Sequence, residues 1–291
     1  MNNYAILVNT TDSFEDCWEP FFKLFSIYWP DYKGKIYLNT ESKEFSYPGL
    51  NIIPVRNGSG GASKNTWSKC LATALHKISE DIVLYMQEDY FLQDTVQTSI
   101  IDHYAAIIRN DNVDCIHFTY HSTPGPFAPS TYEGLWEIDK KAPYRLSCQT
   151  ALWKKKVLKQ YVRNHENPWQ FEMYGTKRAS LLNHKFYTVN RDMYGLEENT
   201  IINYFFTGIV KGRWKQGVVD LFKKHNITID YQLRGFFTYE QKRESLTRFI
   251  RRKLNSAPVA IKSRLEIFRL RYYSQVKDLK YHFWFRSFVD E

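Results

Sequence analysis

The sequence predicts an α/β fold, a single Rossmann-type mixed, mostly parallel sheet flanked by helices, with a basic helical appendage at its C-terminal end. Three observations predict it. Short apolar runs of strand length recur through roughly the first 120 residues, with a helical pattern before most new ones. That alternation gives parallel strands covered on both faces. Run after run ends in polar residues, and the net positive charge sits almost wholly in the last fifty residues.

"YAILVNT" (4–10) reads as the first strand, and "FEDCWEPFFKLFSIYW" (14–29) as a helix with Trp18, Phe22, Phe25 and Trp29 on one side. "GKIYLNT" (34–40) and "LNIIPVRN" (50–57) read as strands, "GSGGASKN" as a loop, and "TWSKCLATALHKI" (66–78) as a helix. "DIVLYMQEDYFL" (81–92) is the fourth strand, followed by a helix over about 95–109 and a strand "DCIHFTYH" (114–121). Residues 122–190 are irregular, broken by Pro124, Gly125, Pro126, Pro129 and Pro143. Within them, "RLSCQTALWKKKVLKQYV" (145–162) reads as a strand running into a helix near Lys154. In "NPWQFEMYGTKRASLL" (167–182), Asn167 caps a helix whose first position is Pro168.

Composition narrows the class. Of 291 residues 43% are hydrophobic and 17% aromatic, which excludes general disorder. No run of about 18 apolar residues occurs, so no transmembrane helix is expected. The start, "MNNYAILVNTTDSF", has neither a basic region nor a cleavage site, so no signal peptide is expected. Cys17, Cys70, Cys115 and Cys148 lack metal-type spacing and read as reduced core residues of a cytoplasmic protein. The net charge is +9, but Lys242 to Glu291 holds 13 Lys/Arg against 5 Asp/Glu, leaving 27 bases and 26 acids in residues 1–241. A nucleic-acid-binding body would carry its basic groove on the folded part, so that class stands as an alternative only.

The polar strand ends are Thr10-Thr11-Asp12, Arg56-Asn57, Glu88-Asp89 and His121. In an open α/β sheet, ligands bind beyond the carboxyl ends of the strands. Two adjacent carboxylates closing a buried strand are costly to desolvate, so Glu88 and Asp89 should face water, a cation or a substrate.

"LYMQEDYFL" at the end of the fourth strand, "QTALWKKKVL" in mid-chain and "NPWQFE" soon after, in that order, resemble a GT-A-type glycosyltransferase. The closest likeness is to enzymes of bacterial capsule and lipopolysaccharide loci, and it covers roughly residues 1–215. The resemblance implies a GT-A fold and transfer of a sugar from a nucleotide donor, UDP by family habit, to a glycan or lipid-linked glycan. It also implies an Asp-x-Asp-like step holding Mn²⁺ or Mg²⁺, which falls on Gln87-Glu88-Asp89 with Asp89 as the metal ligand. Gln87 stands where the family has its first carboxylate, which leaves metal dependence open. An acid at the start of the helix after "NP" is the family's expected base in inverting enzymes, and that acid is Glu172.

The chemistry agrees with these residue types. Cleaving a sugar–phosphate bond develops charge on a nucleoside diphosphate, which a hard cation or Lys/Arg must absorb. The attacking hydroxyl needs a base. Glu172 follows Trp169 by three positions, so both share a helix face and the indole can serve as an acceptor platform. Thr10 and Asp12 are candidate nucleotide contacts after the first strand; Arg56 and Lys64 flank the Gly-rich loop and are candidates for the phosphates. "GIVKGRW" (208–214) sets Lys211 and Arg213 in a segment able to close over the diphosphate, and His121 or His184 could add a metal ligand.

In the tail, "KRESLTRFIRRKLN" (242–255) places Leu246, Phe249, Ile250 and Leu254 on one helical face. A second helix after Pro258 aligns Ile261, Leu265, Phe268, Tyr272, Val276, Leu279 and Phe283, with Trp284 and Phe285 as interfacial anchors. Two basic amphipathic helices fit an anionic membrane surface, here the inner face of a bacterial cytoplasmic membrane, or a homodimer contact. The expected division is a catalytic body at 1–241, with 1–121 binding donor and 122–241 acceptor, and the tail at 242–291. A sugar nucleotidyltransferase would open with a Gly-rich basic loop after the first strand, and "LVNTTDSFED" has none. A non-catalytic domain of the same fold remains open because of Gln87.

Overall fold

The structure is a computed structural model describing residues 4–58, 66–195, 198–239 and 246–275; in the last segment the described side chains are those of 247 and 256–272. Nine strands form one sheet: β1 (Ala5–Asn9), β2 (Lys35–Asn39), β3 (Asn51–Pro54), β4 (Ile82–Gln87), β5 (Cys115–His117), β6 (Phe127–Pro129), β7 (Leu135–Ile138), β8 (Ala151–Lys154) and β9 (Phe186–Val189). Their order is β3-β2-β1-β4-β8-β5-β9-β7-β6. The pairings β3-β2, β2-β1, β1-β4 and β5-β9 are parallel, and β7 and β8 pair antiparallel with every neighbour. All strands but β7 and β8 therefore point one way. The fold is α/β with a mixed, mostly parallel sheet and flanking helices, as the alternation of runs predicts.

Period-two burial explains the layers. Ala5 and Leu7 of β1 and Val83 and Tyr85 of β4 pack on the face covered by α2 (Trp67–Lys77) and α4 (Lys155–Tyr161). Ile6 and Val8, with Leu84 and Met86, pack on the opposite face under α1 (Trp18–Tyr28) and α3 (Thr98–Asn110). Both faces are buried, so the strands read as unbroken apolar runs. The predicted stripe Trp18, Phe22, Phe25 and Trp29 is buried against that second face, although its first turn, Asp12–Cys17, is 3₁₀. All four cysteines are free and buried.

Three strands lie where the sequence reads as irregular. β6, β7 and β9 are three or four residues long and lie in the stretch that Pro and Gly break up, and Pro129 is tolerated because β6 is the sheet edge. Chain order then gives α5 (Pro168–Leu181), a hairpin β10 (Ile209–Val210) and β11 (Arg213–Trp214), and α6 (Val218–Lys224).

The tail corrects the expected break at Pro258. One helix, α7 (Leu246–Gln275), runs through that proline, and it is α7 that contacts α5. A proline inside a helix forfeits one backbone bond; docking of the following turns offsets that loss. Ser263 and Leu270 are buried in the contact, and Ser263 donates 2.7 Å to Glu166. Glu266 accepts from Arg163 Nε at 2.9 Å and from Arg178 at 3.4 Å. Arg178 also pairs with Glu166, and both side chains are fully buried. The predicted stripe is on the other side: Ile261, Leu265, Phe268 and Tyr272 are each more than half exposed, from 53% to 69%. The helix docks by polar groups and leaves its apolar stripe outward. The side chains of Leu246, Phe249, Ile250 and Leu254, and residues Val276, Leu279, Phe283, Trp284 and Phe285, lie outside the described residues. No described helix is long and apolar enough to cross a membrane.

Burial pushes the Glu266 carboxyl up, but Arg163 and Arg178 outweigh it and hold the group below its ordinary range. A carboxyl lowered in the folded state stabilises fully above its unfolded value, and that contribution is lost as pH falls through the folded one. Glu266→Gln should therefore cost about 2–3 kcal/mol near pH 7, less than a fully orphaned buried charge because Arg163 still donates to the carbonyls of Gln160 and Val162 and Arg178 keeps Glu166. Urea midpoints of wild type and variant should draw together as pH falls below the ordinary glutamate range. A constant difference down to pH 3 would place the effect in packing instead.

Candidate functional site

The parallel strands β1 and β4 end side by side, and their ends form the floor of a cleft of ≈ 700 Å³. Its lining includes Asn9, Thr10, Thr11 and Phe14 after β1, and Gln87, Glu88, Asp89 and Tyr90 after β4. Trp169 and Glu172 of α5 form one wall, and Thr207 to Gly212 supply another through Thr207, Ile209, Val210, Lys211 and Gly212.

Glu88 and Asp89 are only 7% and 6% exposed, which corrects the expectation of solvent-facing acids. Burial pushes both carboxyls above their ordinary range, and the Asp89 charge adds to the rise at Glu88. Neither is in any ion pair of the described residues. Asp89 Oδ2 accepts from Thr207 Oγ1 at 2.6 Å and from the Ile209 N–H at 3.1 Å. The backbone joins in: the Gly208 N–H donates to Asp89 O at 2.9 Å and the Phe205 N–H to Phe91 O at 2.8 Å. A Cβ on Gly208 would lie 2.3 Å from the Phe91 ring, so only glycine permits this approach. Asp89 thus anchors the hairpin whose tip is Lys211-Gly212. Both tip residues have positive φ, 51° and 76°, as a two-residue hairpin turn requires. The predicted closing segment is this ordered hairpin; Lys211 lines the cleft, and Arg213, exposed on β11, does not.

Helix α5 is fixed as the sequence indicates. Asn167 accepts from the Gln170 N–H at 2.9 Å, and Gln170 Oε1 accepts from the Asn167 N–H at 3.0 Å, a capping box with Pro168 in the first turn. Trp169 is 76% exposed over the cleft. Glu172 Oε1 accepts from the Cys148 N–H at 2.7 Å, and burial pushes its carboxyl above the ordinary range against that bond.

Gln87 has a structural role. Its amide donates 3.4 Å to Cys148 O, to which Tyr90 also donates at 3.2 Å. One backbone unit at Cys148 therefore ties the end of β4 to Glu172. Gln149 and Tyr204 extend the network, with Gln149 Nε2 donating to Tyr90 OH at 3.0 Å and Tyr204 OH to Gln149 Oε1 at 2.9 Å.

Other expected contacts fall elsewhere. Thr10 lines the cleft, its hydroxyl accepting from the Trp18 indole at 2.9 Å. The Asp12 carboxylate is spent on the loop after β2, accepting from the N–H groups of Glu41, Ser42 and Lys43 and from the Ser42 hydroxyl. Burial opposes this, but those donors hold its carboxyl below the ordinary range. Arg56 pairs with Glu44 at 2.5 Å beside a separate shallow depression and is not in the cleft lining. Lys64 lies outside the described residues. His184 bonds Tyr161 at 2.8 Å and His121 packs on Phe206, so neither joins the carboxylates. No cluster of three His, Cys, Asp or Glu able to hold a metal occurs among the described residues. Thr207, Gln149, Phe14 and Trp67 line the cleft unforeseen. Only Thr207 had a sequence cue, its place just before the glycine of "TGIVKG".

No protein-family model and no curated protein matches the chain. Among solved structures, it is similar to S. aureus TarS 1–349 in complex with UDP-GlcNAc, at TM-score 0.44 and 16% identity over 72% of this chain and 60% of that one. It is also similar to UDP-glucose pyrophosphorylase with UDP-glucose, at TM-score 0.41 and 8% identity over 70% and 92%. A Drosophila β-1,4-galactosyltransferase 7 complex with manganese, UDP-Gal and xylobiose gives TM-score 0.36 and 12% identity over 70% and 69%. The chain thus spans about 60% of the length of the TarS fragment it matches. At these values the likeness is one of general arrangement, and the chemistry rests on this chain's own residues.

Removing the Asp89 carboxylate strips two hydrogen bonds from the hairpin. Asp89→Ala should lower stability by about 1–3 kcal/mol and speed exchange of the Ile209 amide, whereas Asp89→Asn, which keeps an acceptor, should stay within about 1 kcal/mol. Equal stability of all three proteins in urea, with unchanged Ile209 exchange, would contradict the anchoring role.

Proposed function

We propose that the cleft is the active site of a GT-A-type glycosyltransferase that moves a sugar from a nucleotide donor, UDP by resemblance, to a glycan acceptor with inversion. The observation that carries this reading is that Glu172, Lys211 and the Glu88–Asp89 pair, from three separate elements, line one cleft. Glu172 serves as general base: it is held by one backbone N–H, walled by apolar groups, and its carboxyl is raised toward the working range of a base. Trp169, exposed one turn earlier, supplies a platform for a sugar ring. Lys211 at the hairpin tip neutralises the departing diphosphate.

Two adjacent buried carboxylates, both raised and in no ion pair among the described residues, fit a divalent cation shared with substrate phosphates. Asp89 and Glu88 would hold Mn²⁺ or Mg²⁺, which supplies charge neutralisation at the diphosphate when bound. Thr10 is read as a nucleotide contact at the end of β1. Residues 1–241 are read as the catalytic body. The exposed stripe of α7, flanked by Lys262, Arg264, Arg269 and Arg271, is read as the contact with an anionic membrane, which brings the enzyme to lipid-linked acceptors of bacterial surface polysaccharide.

Glu172→Gln retains the hydrogen-bonding shape but cannot take a proton, so turnover should fall by about 10²–10⁴-fold while donor affinity holds. In the wild type, kcat/KM should drop as pH falls through a value above the ordinary glutamate range, because the base must be unprotonated. Product NMR should show an anomeric configuration opposite to the donor's. A retained configuration, or full turnover by the variant, would overturn the assignment.

A further inference from the structure

A second group of side chains, which the proposed transfer step does not use, continues from the cleft along the same edge of the sheet. β5 and β9 point the same way as β4, so the chain leaving them, at Tyr120-His121 and at Arg191, emerges beside Glu88-Asp89. Only β8 separates β5 from β4, which sets the offset at roughly 10 Å. The Phe206 ring lies 4.1 Å from that of His121, and Phe206 directly precedes Thr207 of the cleft wall. Lys215 closes the group from the far side of the hairpin, its N–H donating 2.8 Å to Gly208 O and its ammonium 5.9 Å from the Phe206 ring.

The charged side chains of the group, Arg191 and Lys215, are both cationic. Arg191 is held between the Tyr120 ring at 4.3 Å and the Phe127 ring at 4.6 Å, and donates to the carbonyls of Tyr120 and Thr123. Burial draws the imidazolium of His121 to a lower value, and the charges of Arg191 and then Lys215 lower it further. Neither Arg191 nor Lys215 is ion-paired with a described carboxylate. Two fixed cations in no ion pair among the described residues attract an anion. Tyr120 and Phe206, 51% and 40% exposed, offer ring faces that water covers poorly and on which the apolar face of a sugar can lie. Aromatic faces and unpaired cations together select a ligand that is both saccharide and anion.

We propose that Tyr120, His121, Phe206, Arg191 and Lys215 form the acceptor subsite and that the acceptor is an anionic glycan, bearing phosphate or carboxylate groups along its chain. This rests on the cleft being the donor site. The shelf then holds the acceptor's charged part while its terminal hydroxyl reaches Glu172.

The test is calorimetric titration of full-length protein with three pentasaccharides: phosphorylated pentamannose, pentagalacturonate and neutral maltopentaose. UDP affinity is measured on the same samples. At least one anionic probe should bind about tenfold tighter than the neutral one, the effect of one charge-assisted contact. Lys215→Gln and Phe206→Ala should each remove most of that advantage with UDP affinity unchanged. The arm that binds tighter identifies phosphate or carboxylate. Intact UDP binding with no preference for either anionic probe, or a preference that both variants keep, overturns the subsite alone. Loss of UDP binding by the wild type instead overturns the donor site on which it rests.

Discussion

The site depends on the hydrogen bonds that the Asp89 carboxylate accepts from Thr207 and Ile209. β4 lies near the middle of the sheet and carries its two acids into a place where burial raises both. By accepting from Thr207 and Ile209, beside the backbone bonds of Phe205 and Gly208, Asp89 fixes where the hairpin starts, and the turn at Lys211-Gly212 then sets a cation at the mouth of the cleft. Phe206, one residue before Thr207, and Lys215, whose N–H bonds Gly208 O, lie on either side of that anchor. One carboxylate therefore anchors a wall of the cleft and the segment beside it.

A second constraint positions Glu172. Cys148 offers its N–H to Glu172 and its carbonyl to Gln87 and Tyr90, so α5 and β4 are referenced to the backbone of one residue. A carboxylate at position 87 would repel that carbonyl, whereas an amide bonds it. The departure from an Asp-x-Asp step thus has a local reason. From the other side, α5 is gripped by the buried Arg178–Glu166 pair and by Glu266 of α7. The tail helix touches the helix that carries Glu172 and Trp169, not merely the surface of the body.

Much of the framework was legible. β1 to β5, α2, α3, α4 and α5 each show a period, a cap or an apolar run of the right length, and Asn167-Pro168 marked the start of α5 to the residue. β6, β7 and β9 were not, because they lie in a stretch whose Pro and Gly residues break any long pattern and they are held by the strands they pair with. At the site, Glu172, Trp169, Asp89, Glu88, Thr10 and Lys211 meet in the cleft. Asp12 and Arg56 do not line it, since each finds a nearer partner in the loop after β2. Sequence shows that an acid follows a strand; it does not show which backbone donors come within its reach. The apolar stripe of the tail helix was visible too, but docking by Ser263 and Glu266 on the opposite side was not, because a lone Ser and Glu on a basic helix read as solvated.

The account turns on a nucleoside diphosphate occupying the cleft. The most direct measurement is a crystal structure of the full-length protein with UDP and Mn²⁺. The account predicts diphosphate density between Asp89 and Lys211, with anomalous signal for manganese at the Glu88–Asp89 carboxylates and the uridine toward Thr10. UDP bound anywhere else, or a cleft left empty at saturating UDP, would contradict it.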